Sequence, residues 1–353
     1  TFNLATREYS AITDEDLDSA VRAVMMGNRR IGANAVLTRL NNNGVWVPRE
    51  RVRQSVRRVD PAGVALRSRR VVKRRVYNVA GPNTLWHLDG NHKLIRWRIV
   101  VHGGIDGYSR LITFMDASTS NHSNTVLKLF QDATRRYGIP SRIRCDNGGE
   151  NSRVCEFMEM YHGPGRGSAI RGRSVHNQRI ERNWLDMWNG CVNVFYDIFV
   201  ALERTGLLDP NSDGQMYALH FVYLPRIRHA LRQFVNQWNH HKMRTEHSLS
   251  PTQLFVHRSL ELHCSSSTAM TDMFENCVDQ DHMLLNNIDT SQDNEHDREL
   301  ITVDVPMTTP PISEEQAQFL SQQIDPLAGI NDGNLGVDLY LATLDLLRDM
   351  LDL

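Results

Sequence analysis

No stretch of this 353-residue chain approaches the roughly 18 consecutive apolar residues that a membrane-spanning helix needs. No apolar leader near its start reads as a secretory signal either, so no membrane partner is expected. Cysteine is scarce. Cys145, Cys155, Cys191, Cys264 and Cys277 are too few and too scattered for a disulfide framework, which favours a reducing compartment. Internal repeats are absent, which excludes a solenoid or propeller. Basic residues also run out. After residue 260 only Arg298 and Arg348 remain against 19 acids, whereas residues 1–260 hold 38 Lys and Arg against 22 Asp and Glu. The net charge of −1 therefore hides a basic body and an acidic tail.

Within the body, residues 49–77 carry eleven basic residues and two acids, a density that suits contact with phosphates. Residues 1–60 read as a small helical unit. Thr13-Asp14-Glu15-Asp16 precedes Leu17, Val21 and Val24, an acidic helix start before apolar positions at helical spacing. A second periodic stretch covers 31–40, and Asn41-Asn42-Asn43-Gly44 marks a turn. Pro48 opens a third helix, with Val52 and Val56 on one side and Arg49, Arg51, Arg53, Arg57 and Arg58 around the others. Two helices joined by a short turn, the second strongly basic, form the helix-turn-helix pattern, and those five arginines are its candidate DNA contacts. A basic linker is expected over 61–83, with Arg69, Arg70, Lys73 and Arg74 as further phosphate contacts.

From residue 84 the pattern changes to short strands at 85–88, 98–105, 110–115 and 142–145, separated by a helical stretch at 121–137. A glycine-rich loop at 163–167 precedes a long helical run over 178–204, and another covers about 216–240. Residues 261–353 read as an acidic, largely disordered tail with a short helix at 337–352. Asp89 follows an apolar run and Asp146 follows Ile143-Arg144-Cys145, so both belong near strand ends. Glu181 lies near the start of a long helix. Hard carboxylate oxygens from two adjacent strands and one helix suit Mg²⁺ or Mn²⁺. Each acid alone has an ordinary structural explanation, turn formation for the aspartates and the helix dipole for the glutamate. Asp106, before Gly107, reads as a structural turn residue, and Glu150 and His176 stand near the same region. Ile180, Trp184 and Trp188 share one helical face and read as core anchors.

The segments Trp86-His87-Leu88-Asp89, Ile105-Asp106-Gly107-Tyr108-Ser109-Arg110, Cys145-Asp146-Asn147-Gly148 and Asn177-Gln178-Arg179-Ile180-Glu181-Arg182 resemble the catalytic core of the retroviral and transposon DDE integrases. Asp146 and Glu181 are 35 positions apart, close to that family's spacing. The resemblance spans 84–260 and implies a ribonuclease-H-like α/β fold, a mixed five-stranded sheet flanked by helices and preceded here by the helix-turn-helix unit. It implies that Asp89, Asp146 and Glu181 are both catalytic residues and metal ligands for two Mg²⁺ or Mn²⁺ ions. It further implies duplex DNA as partner, a homo-oligomer on that DNA, and a nuclear location. Arg166, Arg171 and Arg173, before Glu181, become candidate phosphate contacts. The zinc-binding His/His/Cys/Cys module of retroviral relatives is not in front of this core. The expected activity is phosphodiester cleavage followed by DNA strand transfer. A plain metal-dependent nuclease and a catalytically silent, transposon-derived DNA-binding protein stay open beside it.

Overall fold

The computed structural model describes residues 9–26, 31–67, 79–172, 177–263, 303–330 and 333–351. Helix α1 (Asp14–Met26) starts where Thr13 Oγ1 accepts from Asp16 N at 3.1 Å, satisfying one of the free amides of the first turn. It packs with α2 (Ala33–Asn42) and α3 (Arg49–Val59) around Leu17, Val21, Val36, Leu40, Val52 and Val56. This small core is its own cluster, apart from those of the larger unit. Where a linker was expected to begin at 61, helix α4 (Pro61–Arg67) follows after a single residue, with Pro61 preset for a first turn. Arg69, Arg70, Lys73 and Arg74 lie outside the described residues.

The larger unit is built on strands β1 (Trp86–Asn91), β2 (Val100–Asp106), β3 (Ile112–Ser118), β4 (Ile143–Cys145) and β5 (Ala169–Arg171). They form one sheet in the order β3-β2-β1-β4-β5. β1 is antiparallel to β2, and β2 to β3, whereas β4 runs parallel to both β1 and β5. The three antiparallel strands follow from short connections in the chain. The parallel ones need the crossover helices α5 (Ser123–Tyr137) and α6 (Ser152–His162). Alternation along β1 then divides the core. Trp86 and Leu88 meet Val126, Leu127 and Phe130 of α5 and Phe157 of α6 on one face. His87 and Asp89 project to the other face, which is covered by α7 (Gln178–Met187), α8 (Asn193–Arg204) and α9 (Asp213–His240).

The long helix expected over 178–204 is interrupted by a π-helical turn at Trp188–Val192. Gly190 sits in that turn against α9, where a Cβ would come within 2.9 Å of Phe234 Cδ2. Arg39 of α2 donates to the Gly190 carbonyl at 3.4 Å and so ties the N-terminal unit to the core. Helix α10 (Pro251–Leu262) opens with a reciprocal capping box between Ser250 and Gln253. The acidic C-terminal segment departs from the expected disorder over 303–330, whereas the short helix expected at 337–352 is present at Val337–Leu351. Helices α11 (Glu314–Gln323) and α12 (Val337–Leu351) lay Leu320, Tyr340, Leu344 and Leu347 into the same core as Tyr223 and Ile227 of α9. Among the described residues no helix is long and apolar enough to cross a membrane.

Candidate active site

Asp89 lies inside β1 rather than at its end, because the strand continues through Gly90 to Asn91. Its ladder partner on β2 is Gly103. On the other side β1 pairs with β4 through Trp86 opposite Ile143 and His87 opposite Arg144. Continuing that register by two positions brings Asp89 beside Asp146, the first residue after β4. The Asp146 carboxylate accepts from Gly148 N at 3.1 Å, which fixes it as the first residue of a turn. Glu181 stands on the first turn of α7, exposed, above the same end of the sheet.

Two contacts pin α7 in this place. Asn177, just before the helix, donates through Nδ2 to Leu88 O at 2.7 Å. Its Oδ1 is 2.6 Å from Nδ1 of buried His87. The helix that carries Glu181 is thereby stitched to the strand that carries Asp89. Burial holds His87 down at about 4, so its ring is neutral near pH 7.

The carboxylates sense each other. Asp89 is only partly covered by surface, yet protein atoms crowd its carboxylate, and this desolvation pushes it up to about 7. The charges of Asp146 and Glu181 add to the rise, while a hydrogen bond from Trp184 opposes it. Glu181 is exposed as a residue, yet protein atoms close to its carboxylate also raise it, and the charge of Asp146 adds to the rise. Glu150 was less prominent in the sequence, but it is buried below Gly148 and pushed up to about 7, mainly by burial with Asp146 contributing. His92 carries no motif that marks it in the sequence. It is half-buried, sits in the field of Asp146, and has an Nε2 with no hydrogen-bond partner. A charge within reach of another acid is a tertiary property that spacing alone does not reveal.

The donor set suits the divalent cation that the sequence resemblance implies. Oxygen-only ligands, with Asp89 and Glu181 lifted by desolvation and by the charge of Asp146, fit a hard cation that would relieve that repulsion. As the side chains stand, no three His, Cys, Asp or Glu among the described residues are grouped to hold a metal ion. The residues fit in donor chemistry, and their carboxylates must draw together around the charge.

The basic candidates divide. On α3, Arg51 pairs with Asp14 at 2.5 Å and Arg58 with Asp18 at 2.7 Å, so both stitch α3 to α1. Arg49 bonds Asn34 Oδ1 at 3.1 Å, Arg53 pairs loosely with Glu50 at 3.4 Å, and all three of Arg49, Arg53 and Arg57 are exposed. Arg166 bonds His162 and Ser141 Oγ, which anchors the glycine-rich loop to the body. Arg171 is the last residue of β5 and lies against Cys155, whose buried thiol is 3.7 Å from that of Cys145. Arg173 and His176 lie outside the described residues.

Strand order 3-2-1-4-5, with three antiparallel strands followed by two parallel ones and acids on β1, after β4 and on α7, defines a ribonuclease-H-like fold. The family model described as "Integrase core domain" matches residues 76–269, over half of the chain, and the chain belongs to that family. Among solved structures it is similar to the HTLV-2 integrase catalytic core domain in complex with magnesium, in a trimeric form. That match has 16% identity and a TM-score of 0.34, and covers 50% of this chain and 99% of the other. It is also similar to the simian T-cell lymphotropic virus intasome in complex with PP2A regulatory subunit B56 gamma. There the identity is 17% and the TM-score 0.37, with 69% of this chain and 72% of that chain covered. No curated protein matches the chain.

Proposed function

We propose that this chain is a polynucleotidyl transferase that cleaves a DNA phosphodiester and joins the freed 3′ end to a second duplex. One observation carries the reading. The β1–β4 register sets Asp89 beside Asp146, and Glu181, distant from both in sequence, stands close enough for its charge to reach Asp89. Membership of the integrase core domain family supports the class of reaction.

In this reading Asp89, Asp146 and Glu181 hold divalent cations, Mg²⁺ or Mn²⁺. When bound, such ions supply Lewis-acid stabilisation for the attacking and leaving oxygens of in-line displacement at phosphorus. The chain itself contributes position. The β1–β4 pairing fixes the two aspartates side by side, and the Asn177 clamp holds the first turn of α7 over them. The N-terminus of α7 also directs its positive dipole end toward this acidic cluster. Duplex DNA reaches the site along the exposed arginines of α3, and the DNA-bound state is a homo-oligomer in the nucleus.

A strand-transfer assay with labelled DNA ends tests this. The expected result is a joined product in Mg²⁺ or Mn²⁺. Asp89→Asn, Asp146→Asn and Glu181→Gln should each abolish cleavage and joining while duplex affinity stays within about twofold, since affinity depends on Lys and Arg. Cut product alone would make the chain a nuclease, and bound DNA with neither product a silent DNA-binding protein. Near-normal turnover by any one variant would remove that residue from the site.

A further inference from the structure

The tryptophan that the helical pattern assigns to the core also touches the acidic cluster. Trp184 is 6% exposed, and its indole Nε1–H donates to Asp89 Oδ2 at 2.7 Å. To reach it the ring crosses β2 at Gly103, the residue that faces Asp89 in the β1–β2 ladder. A Cβ on Gly103 would stand 2.8 Å from Trp184 Cη2, closer than carbon atoms tolerate, so the glycine leaves the seat that the indole occupies. Ile180 and Met187, both fully buried on the same helix, keep α7 from rolling away from this contact. Ring, seat and carboxylate therefore form one rigid chain from α7 through β2 to β1.

We propose that Trp184 is a positioning residue for the active site, its indole N–H fixing the orientation in which Asp89 presents its carboxylate to Asp146 and Glu181. This rests on the reading of those three acids as ligands of a divalent cation. An aspartate side chain has two rotatable bonds, and a donor on a buried, immobile ring removes that freedom before any ligand arrives. Groups that orient a metal ligand in this manner typically change affinity by about 10–100-fold when removed. Gly103 belongs to the same device, since any larger residue there displaces the ring.

The test is calorimetric titration of Mn²⁺ into the full, DNA-free chain, with melting temperature measured in parallel. Asp89→Asn is the control that removes a proposed ligand. Trp184→Phe keeps an aromatic ring and deletes the N–H donor. Gly103→Ala leaves both donor and acceptor in place and crowds the ring off its seat. Saturable Mn²⁺ binding that Asp89→Asn removes, that Trp184→Phe weakens about tenfold or more at near-unchanged melting temperature, and that Gly103→Ala weakens likewise while still folded, supports the proposal. Wild-type Mn²⁺ affinity in folded Trp184→Phe overturns it while leaving the metal-dependent reading intact. If Trp184→Phe does not fold, wild-type affinity in Gly103→Ala overturns it in the same way. Absence of saturable Mn²⁺ binding to the unmodified chain removes the metal-dependent reading, and the proposal with it.

Discussion

Burial decides the protonation of several single groups here, and each has a consequence for stability. His102 on β2 is 1% exposed, with Nε2 at 3.2 Å from Ser120 O, and desolvation holds it down at about 4. In the unfolded chain it titrates at the ordinary 6.5. The unfolded state therefore binds the proton first as pH falls, and the contribution of this residue to stability is lost between about 6.5 and 4. The loss is on the order of 3 kcal/mol when complete. Urea midpoints at pH 7 and pH 4.5 should fall further apart for the unmodified chain than for His102→Gln, which cannot take up the proton. Asp106 illustrates the opposite direction. Fully buried at the end of β2, it is pushed up to about 6 by desolvation, although Asn83 N, Ser109 N and Ser109 Oγ donate to it at 2.7–2.9 Å. Those donors make it a structural turn residue, far from the acidic cluster in role.

At the scale of the element, α3 divides its arginines by direction. Val52 and Val56 face the small core, and the acidic first turns of α1 lie across one flank, where Arg51 and Arg58 are drawn to Asp14 and Asp18. Arg58 is exposed as well, but Arg49, Arg53 and Arg57 are exposed and pair with no acid of α1 among the described residues. If α3 meets duplex DNA, replacing these three by Ala should weaken binding and flatten its dependence on log salt by about 0.9 for each phosphate contact removed. Anisotropy titrations of the full chain at several salt concentrations measure this, and an unchanged slope would take α3 off the DNA. Arg51→Ala and Arg58→Ala should instead loosen α1 from α3, lowering the melting temperature with little change in slope. A charge run thus holds two populations, one that holds helices together and one available to a polyanion.

Across the whole molecule, the C-terminal segment belongs to the fold as much as to the charge balance. Tyr340 of α12 is fully buried, its hydroxyl donates to Leu207 O at 3.0 Å, and its ring centroid is 6.3 Å from that of Tyr223 on α9. Arg226 reaches from α9 to the Ala328 carbonyl, and Gly336 leaves room for its guanidinium. Tyr340→Ala should cost about 3–5 kcal/mol, as large-to-small changes of buried aromatics do, and chemical denaturation will show it. Ending the chain after residue 302 should lower the melting temperature further by uncovering the apolar face of α9. Such a truncation cannot report on charge alone. Deleting only residues 264–302 separates the acidic segment from the packing of α11 and α12.

The sequence by itself determined the helical N-terminal unit, strands β1 to β4 and helices α5, α7, α9 and α12, because each has a local signature, whereas α6 (Ser152–His162) does not stand out in it; the three acids stand out only through the resemblance to integrases. Amphipathic spacing marks the helices, apolar runs ended by Asp mark β1 and β4, and the spacing of Asp146 and Glu181 carries the resemblance to integrases. Only the tertiary structure decided the rest. β5 is three residues long and half-exposed, too short for alternation to register, and exists because β4 offers it a ladder. The π turn at Trp188–Val192 sets Gly190 against Phe234, a contact that no pattern within 178–204 contains. Outside the helical spacing at 337–352 the acidic tail has the composition of a disordered segment, yet α11 folds as well, since its Leu320 enters the core that α12 and α9 share. Trp184 reads as a core anchor and is one, but its bond to Asp89 joins residues 95 positions apart. Periodicity reports which face of an element is apolar; which partner that face meets is set by packing between segments remote in the chain, and there the carboxylates acquire their neighbours.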